Sequence, residues 1–518
     1  MGTPSGARDG LSSVTRGTLL LLIGSLAYVV LNFIARFILI RSISQDEWSA
    51  FYLALALVGV VAAVGALGLP SAVARNLPYA AGEPERRTFV RGTLIVGGGA
   101  AIAASVGLWL LGPWIAATLN FPDLRLALEL FPIAVGTSVI ASLIASVFQG
   151  YEDVLPNALY IQTITPGLFV AFLAVVYLLP PYGIDYLSAL LTYVAANVVT
   201  LVLLVLYTMR RLPRRLSSGP GSPRALGHLM RFAAPLFLVG LMSTLFGSGD
   251  TLVLGAYFPA QVGTYGASLT LARLLQVGVG AAAYIFLPVA ARLLRGRDTG
   301  AINLTYVTVT KWMILFSLPL FLLFVFLPGR ALDFVYTAKY AVIVLPLQIT
   351  VTGAFLTTAF GPASNAQVAF AQTRLLAYNA IAAAAVDLGL AFALVPTYGM
   401  TGAAVAWAVA NVTYTGLSLA ELAYLTGVHP FRPHFVVPLV VTSVPVAAFL
   451  YFAPFAFPNW SLPVIGLAIA ALVVLAVLLT RSVDEGDRLL LGAVEGLVGR
   501  PLPFLRRIGR IGVPPSRP

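Results

Sequence analysis

Five charged residues lie inside long apolar stretches of this chain: Arg36, Asp250, Arg273, Asp387 and Glu421. Two more, Arg75 and Arg292, stand at the ends of such stretches. A charge placed in hydrocarbon costs about 2.5–3.5 kcal/mol on insertion scales, so each of these residues needs a partner or a purpose. A guanidinium grips phosphate through two parallel N–H bonds, and that is the chemistry the arginines offer. Arg273 falls about twelve residues into its stretch, about 18 Å deep at 1.5 Å per residue. At that depth it cannot comfortably reach the headgroups. It either grips an anion in a cavity or pairs with Asp250 on the neighbouring stretch. Arg36 lies near the outer end of its stretch and either lines a cavity or extends to the outer headgroups; Asn32, one turn earlier, shares its face. Arg75 and Arg292 either anchor the inner surface or form a ring that admits an anion from the cytoplasm. Lys311 carries the same two readings. Asp387 sits in mid-stretch with Asn379 two turns before it, and Glu421 falls at an inner interface.

The elements that must position these residues follow from composition. The chain has 518 residues, of which 59% are hydrophobic and 10% charged, with a mean hydropathy of +0.94. A soluble domain carries about 25% charged residues, and a disordered chain needs low hydrophobicity; both classes are excluded. With no cysteine there is no disulfide framework and no thiolate chemistry. Runs of about 20 apolar residues read as membrane-crossing helices. The chain holds fourteen of them, near 17–40, 48–74, 91–119, 126–148, 157–179, 186–208, 231–257, 262–289, 305–328, 341–361, 374–395, 402–425, 434–453 and 461–480. The short alternating segments of a membrane β-barrel are missing, and the first run is too long and too polar at Asn32 and Arg36 for a cleaved signal peptide. The expected fold is therefore all-α and polytopic. The net charge of +12 sorts by topology rather than by a nucleic-acid partner. With a cytoplasmic N-terminus, the inner loops and the tail hold most of the arginines, while Arg41, Arg125, Arg330 and Lys339 face outward. The turn at Glu152 and Asp153 fits this scheme badly, because it is inner and has no base.

An internal repeat organises the runs. Pro181-Tyr182-Gly183 and Asn197 recur as Thr397-Tyr398-Gly399 and Asn411, and Leu69-Pro70 recurs as Leu287-Pro288, all at an offset of 214 to 218 residues. The break between copies is the Pro-, Gly- and Ser-rich stretch 210–224, which reads as a flexible linker. The expected domains are a first lobe, 1–209; the linker, 210–224; a second lobe, 225–430; two added spans, 431–480; and a basic tail, 481–518, whose stretch from Arg488 to Arg510 reads either as an interfacial helix on anionic lipid or as a basic disordered tail. Six runs per copy give two pseudo-symmetric six-helix lobes in one orientation, a recurring transporter design with a site between the lobes. Prolines 70, 132, 166, 235, 288, 319 and 346 are expected to kink helices, and Gly97-Gly98-Gly99 to permit close helix approach.

Three stretches resemble a known family. They are Ile38-Leu39-Ile40-Arg41-Ser42-Ile43-Ser44-Gln45-Asp46-Glu47-Trp48-Ser49-Ala50-Phe51-Tyr52; Asp250-Thr251-Leu252-Val253-Leu254-Gly255 with Val262-Gly263-Thr264-Tyr265; and Pro396-Thr397-Tyr398-Gly399-Met400-Thr401-Gly402-Ala403-Ala404. In order and spacing they resemble the lipid-linked oligosaccharide flippases of the polysaccharide-export type, within the multidrug/oligosaccharidyl-lipid/polysaccharide exporter superfamily. Ser49 stands where that family usually has glycine. The resemblance spans about the first 430 residues.

The resemblance implies two lobes around a cavity that opens alternately to each side. The implied cargo is a polyprenyl- or dolichyl-linked sugar carried on phosphate or pyrophosphate. Arg273, Arg36, Asn32, Arg75 and Arg292 are then the expected cargo-binding residues. Asp250, Asn379 and Asp387 are the expected ligands for a coupling sodium ion or proton, since oxygen ligands suit a hard cation; the membrane potential is the alternative driving force. No cofactor, resident metal, nucleic acid or catalytic residue is expected. A monomer in the inner membrane is expected, with both termini cytoplasmic and with glycosyltransferases or a polymerase of the same pathway as partners. The competing readings are a cation-coupled drug or metabolite exporter of the same fold, a membrane glycan ligase or polymerase, and a scramblase or scaffold. Arginines rather than carboxylates in the first lobe favour anionic cargo over cationic drugs.

Overall fold

The computed structural model describes residues 5–178, 183–211, 223–277, 286, 290, 299–336, 338–370, 372–430, 433–452, 458–480, 482 and 487. Every regular element among them is helical. Twelve of these helices are long and apolar enough to cross a membrane. They correspond to twelve of the expected runs. The run 434–453 is also helical, Pro433–Phe452, with a shorter apolar part at Leu439–Phe452. The run 262–289 is described as a helix over Val262–Leu275, and most of its remainder lies outside the described residues, as do Pro288, Arg292 and the tail beyond 487.

The chain divides into two compact units: Met1–Gly266 with Ala391–Ala403, and Ala267–Leu390 with Ala404–Pro518. The first unit contains α1 (Ser5–Ser42), α2 (Gln45–Ala66), α3 (Leu69–Asn76), α4 (Glu83–Thr118), α5 (Pro122–Gly150), α6 (Thr165–Leu178), α7 (Tyr186–Arg211), α8 (Pro223–Tyr257) and the start of α9 (Val262–Leu275). Local chemistry sets several ends. Ser44 and Glu47 form a reciprocal capping box that starts α2, satisfying orphan donors of its first turn. At the start of α7, the Asp185 carboxylate accepts from the Ser188 N–H at 3.1 Å. Hydrogen bonds from Ser188 hold that carboxyl below the usual range.

The expected run 48–74 is two helices rather than one. Leu67 and Gly68 both take left-handed backbone, at φ 51° and 69°, and α3 restarts with Pro70 in its first turn. The break has a packing cause. A Cβ on Gly68 would stand 2.5 Å from the Ala233 carbonyl of α8, so only glycine lets the two backbones meet. The turn swings Arg75 onto a short helix of its own. Among the prolines, 132, 235 and 319 lie inside helices. Pro166 follows a π-helical segment, Asn157–Ile164, that leads into α6. Proline cannot donate to the carbonyl four residues back and its ring crowds it; the wider π turn relieves that conflict. Of the three consecutive glycines only Gly97 is tightly packed, against Leu143 and Leu69; Gly98 and Gly99 face open space.

The three family-like stretches converge within the first unit. Trp48 is fully buried and its indole N–H donates to the Gly263 carbonyl at 2.9 Å. The Gly263 N–H donates to the Ser49 hydroxyl at 3.0 Å, and that hydroxyl lies 2.7 Å from the Ala260 carbonyl. The Met400 N–H donates to the Gln261 side-chain oxygen at 3.0 Å, over Gly399 at φ 54°. Buried Tyr265 donates its hydroxyl proton to buried Asp250. From Trp48 the packing passes to Phe51, stacked at 5.8 Å. Phe51 in turn meets Phe131, Phe169 and Tyr193.

In the second unit, the helix Thr299–Phe326 packs against Val344–Ala359, Pro433–Phe452 and Leu462–Leu479. Tyr306, Met313, Leu422 and Phe286 lie in one of its cores.

A Cβ at Gly263 would stand 2.6 Å from Trp48 and 2.7 Å from the Ser49 backbone nitrogen. Gly263→Ala is therefore expected to destabilise the protein by about 1–3 kcal/mol, the usual cost of overpacking, read as a lower melting temperature in detergent. Gly98→Ala, in open space within α4, should leave it unchanged or raise it.

Candidate polar cavity and buried charges

Two adjoining cavities open within the first unit. The larger, of about 600 Å³, is lined by Arg75 and Ser71 of α3, by Ser138, Ser142, Ser146 and Gln149 of α5, and by Asn157 and Ile161 of the π-helical segment. The smaller, of about 200 Å³, is lined by Tyr28 and Asn32 of α1, Thr137 and Ser138 of α5, Ile161 and Thr165, and Tyr193, Asn197 and Thr200 of α7. Ser138 and Ile161 belong to both walls. Neither lining contains a carboxylate. Spaced every four residues, Ser138, Ser142 and Ser146 form one hydroxyl stripe along α5, because residues four apart on a helix share a face. That spacing is readable in the sequence, and the expected site residues omit it.

The polar groups of these walls are oriented. Ser138 donates to the Val135 carbonyl at 3.0 Å, Ser146 to Leu143 at 2.8 Å and Thr137 to Ile133 at 2.8 Å. The Asn32 and Asn197 amides each donate to the carbonyl one turn back, both at 2.9 Å. A backbone carbonyl only accepts, so each amide must present its nitrogen there and keep its oxygen for elsewhere.

Of the expected cargo residues, Asn32 and Arg75 line these adjoining cavities. Arg75 is exposed, with its guanidinium 5.1 Å from the Phe232 ring centroid. Arg36 is half-buried, 5.4 Å from the Tyr52 ring centroid. Arg273, half-buried, lies in the last turn of α9 and in the second unit. Arg292 lies outside the described residues.

Of the expected cation ligands, Asp250 sits fully buried in the first unit and receives the Tyr265 hydroxyl proton. Asn379 and Asp387 are buried in the second unit on one unbroken helix, Thr373–Tyr398. Eight residues of α-helix separate them by about 12 Å of rise. The Asn379 amide nitrogen donates to the Glu421 carboxylate at 2.8 Å, and Gln367 donates to the same oxygen at 2.7 Å. Glu421, read from sequence as merely interfacial, joins three helices through this cluster.

Lys311 corrects the sequence reading more sharply. Rather than anchoring an inner surface, it is 1% exposed. Its ammonium meets the Asp487 carboxylate at 2.7 Å and the Ser482 carbonyl at 2.8 Å. The other Asp487 oxygen accepts from the Trp312 indole at 2.6 Å. Ser482 and Asp487 therefore lie against the helix Thr299–Phe326, and the partner that makes a buried lysine tolerable is 176 residues away in sequence. The ill-fitting acid Asp153 is also held locally, by the Leu155 N–H at 3.0 Å and the Tyr207 hydroxyl at 3.2 Å.

With this geometry in place, comparison with known proteins identifies the fold. A family model described as "Polysaccharide biosynthesis protein" matches residues 14–294, more than half of the chain. No curated protein sequence matches. Among solved structures, the lipid II flippase MurJ in an inward closed conformation aligns with a TM-score of 0.70 at 14% identity, over 88% of this chain and 98% of that one. An inward-facing multidrug resistance transporter of the MATE family aligns with a TM-score of 0.62 at 15% identity, over 80% of this chain and 98% of that one. The MATE transporter DinF-BH in complex with R6G aligns with a TM-score of 0.58 at 16% identity, over 81% and 97%. At such identities the likeness establishes the fold that these transporters and flippases share.

Breaking the buried Lys311–Asp487 pair from one side strands a charge, which typically costs about 3–5 kcal/mol. Lys311→Met is expected to lower the melting temperature in detergent markedly, and Lys311→Met with Asp487→Leu to recover most of the loss.

Proposed function

The chain belongs to the polysaccharide biosynthesis protein family, and from that premise we propose that it is a flippase for a lipid-(pyro)phosphate-linked oligosaccharide. It carries the headgroup from the cytoplasmic to the outer leaflet by alternating access while the lipid tail stays in the bilayer. One observation carries this reading: the polar cavity of the first unit has an arginine in its wall and no carboxylate among its lining residues. An exporter of organic cations needs the opposite polarity. Arg75 and Arg36 grip the phosphate as it enters and leaves, Arg273 holds it at mid-depth, and Arg292 belongs to the inner ring.

The proposed architecture is fourteen spans in two pseudo-symmetric lobes, 1–209 and 225–430, joined by the linker 210–224. Two added spans and a basic cytoplasmic tail complete it, and both ends of the chain are cytoplasmic. Moving an anion outward with an inside-negative potential gains about 2.3 kcal/mol per charge per 100 mV. A cation bound through Asp250 or Asp387 then resets the carrier. Glycosyltransferases supply the cargo on the inner face, and a polymerase or ligase uses it on the outer face.

Hydrogen bonds to a charged group contribute about 1.5–3 kcal/mol each. In vesicles that contain the purified chain, Arg273→Ala and Arg75→Ala are each expected to slow translocation of a polyprenyl-diphosphate oligosaccharide at least tenfold. Lysine at either position should restore only part of the rate, because it loses the planar fork. An unchanged rate in both alanine variants would remove the arginines from the cargo path.

A further inference from the structure

Glu421 stands in a polar cluster of the second unit that the proposed cargo path does not use. Its Oε2 accepts from the Gln367 amide at 2.7 Å and from the Asn379 amide at 2.8 Å. The Asn379 nitrogen also lies 3.3 Å from the Ser418 hydroxyl. Three helices supply these groups: Gln367 comes from Ala363–Ala369, Asn379 from Thr373–Tyr398, and Ser418 and Glu421 from Met400–Thr426. Ser418 and Glu421 share a face, because residues three apart on a helix are neighbours. Gln367 and Ser418 are fully buried and Asn379 is 3% exposed, whereas Glu421 is half-buried. An ion therefore reaches the cluster past the carboxylate.

The balance of charge and hydrogen bonds in this cluster is one-sided. Glu421 brings a full negative charge, and no ion-pair partner meets it among the described residues. The Gln367 side-chain oxygen is buried and receives no donor. It shares a carbon with the nitrogen that reaches Glu421, so it lies within about 5 Å of that carboxylate. The Asn379 oxygen is placed near it in the same way. A half-turn about the last torsion of either amide exchanges its nitrogen for its oxygen, which turns a donor to Glu421 into a further oxygen ligand. Carboxylate, amide and hydroxyl oxygens are what a hard cation takes. A single carboxylate among neutral oxygens suits a single positive charge. Among the described residues there is no group of three or more acids, histidines or cysteines to draw a more highly charged metal.

We propose that Glu421, Gln367, Asn379 and Ser418 form a site for an alkali metal ion, sodium or potassium, which neutralises the carboxylate and ties the three helices together. It is not the site that the resemblance implies. Asp387 stands about 12 Å along the helix from Asn379, and neither Asp387 nor Asp250 is among the groups that meet Glu421. The site is also independent of what the chain carries.

The test is equilibrium binding of radioactive sodium, and of radioactive rubidium in place of potassium, to the purified full chain in lipid nanodiscs. Its melting temperature is read alongside in sodium, potassium or choline chloride at one pH and one ionic strength. The parent chain is expected to bind at least one of the two ions saturably and to melt higher in that ion's chloride than in choline chloride. Glu421→Gln keeps the shape and removes the charge; it should lose one bound ion per chain and most of the melting difference. Ser418→Ala, a smaller change that serves if Glu421→Gln fails to fold, should raise the half-saturating concentration several-fold. Asp250→Asn with Asp387→Asn should keep at least one bound ion and the melting difference. Each variant is checked for an unaltered elution profile. Binding that survives Glu421→Gln and Ser418→Ala unchanged overturns the site, as does binding lost only in the double aspartate variant. A parent chain that binds neither ion overturns it too; a melting temperature that then follows pH and not the choice of cation assigns a proton to Glu421 instead.

Discussion

The Gly263 backbone, held between Trp48 and Ser49, is the contact on which the first unit depends. Its carbonyl takes the Trp48 indole proton, and its N–H, in the first turn of α9, donates to the Ser49 hydroxyl. The first N–H groups of a helix have no acceptor within it, and here a side chain of α2 supplies one. From this point order spreads in two directions. Through Gln261, Thr264 and Tyr265 it reaches Met400 and Ala403. Through Phe51 it reaches the rings of Phe131, Phe169 and Tyr193, two of which stand in the cavity wall. The three family-like stretches are thus one packed object, and the cavity is built on it. Ser49, in place of the family's usual glycine, adds a hydrogen bond to the start of α9.

Two physical rules then sort the polar residues. A hydroxyl or amide within a membrane helix can spend a donor on a carbonyl about one turn back, as Asn32, Thr137, Ser138, Ser146 and Asn197 of the cavity wall do. A full charge has no such local solution and needs a partner from elsewhere. Lys311 finds Asp487, and Glu421 finds the amides of Gln367 and Asn379. Arg75 and Arg36 also lie beside aromatic rings.

What the sequence made legible follows the same division. Hydrophobic runs are long and local, so the helices fall where composition puts them. The three motifs also mark a real convergence. The break at Leu67–Gly68 was hidden, because its cause is the backbone of α8 at Ala233, far away in sequence. Lys311 read as an inner anchor or part of an entry ring because its carboxylate lies near the C-terminus, in a stretch read as a basic tail on the membrane surface. Asn379 and Asp387, which the resemblance implies as cation ligands with Asp250, stand about 12 Å apart along their helix, and the Asn379 nitrogen reaches Glu421 on another helix, a partner that no sequence spacing marks. The serine stripe of α5 was visible as a four-residue spacing, but uncharged hydroxyls do not stand out against a search for intramembrane charge.

The central claim is that this fold moves a sugar-bearing lipid anion outward. The most direct measurement follows, in sealed vesicles containing the purified chain, how fast a fluorescent polyprenyl-diphosphate oligosaccharide becomes accessible to an impermeant glycosidase on the far side. The account predicts protein-dependent exposure that accelerates when the side of origin is made electrically negative. Exposure at the rate of protein-free vesicles, alongside protein-dependent transport of an organic cation, would contradict it.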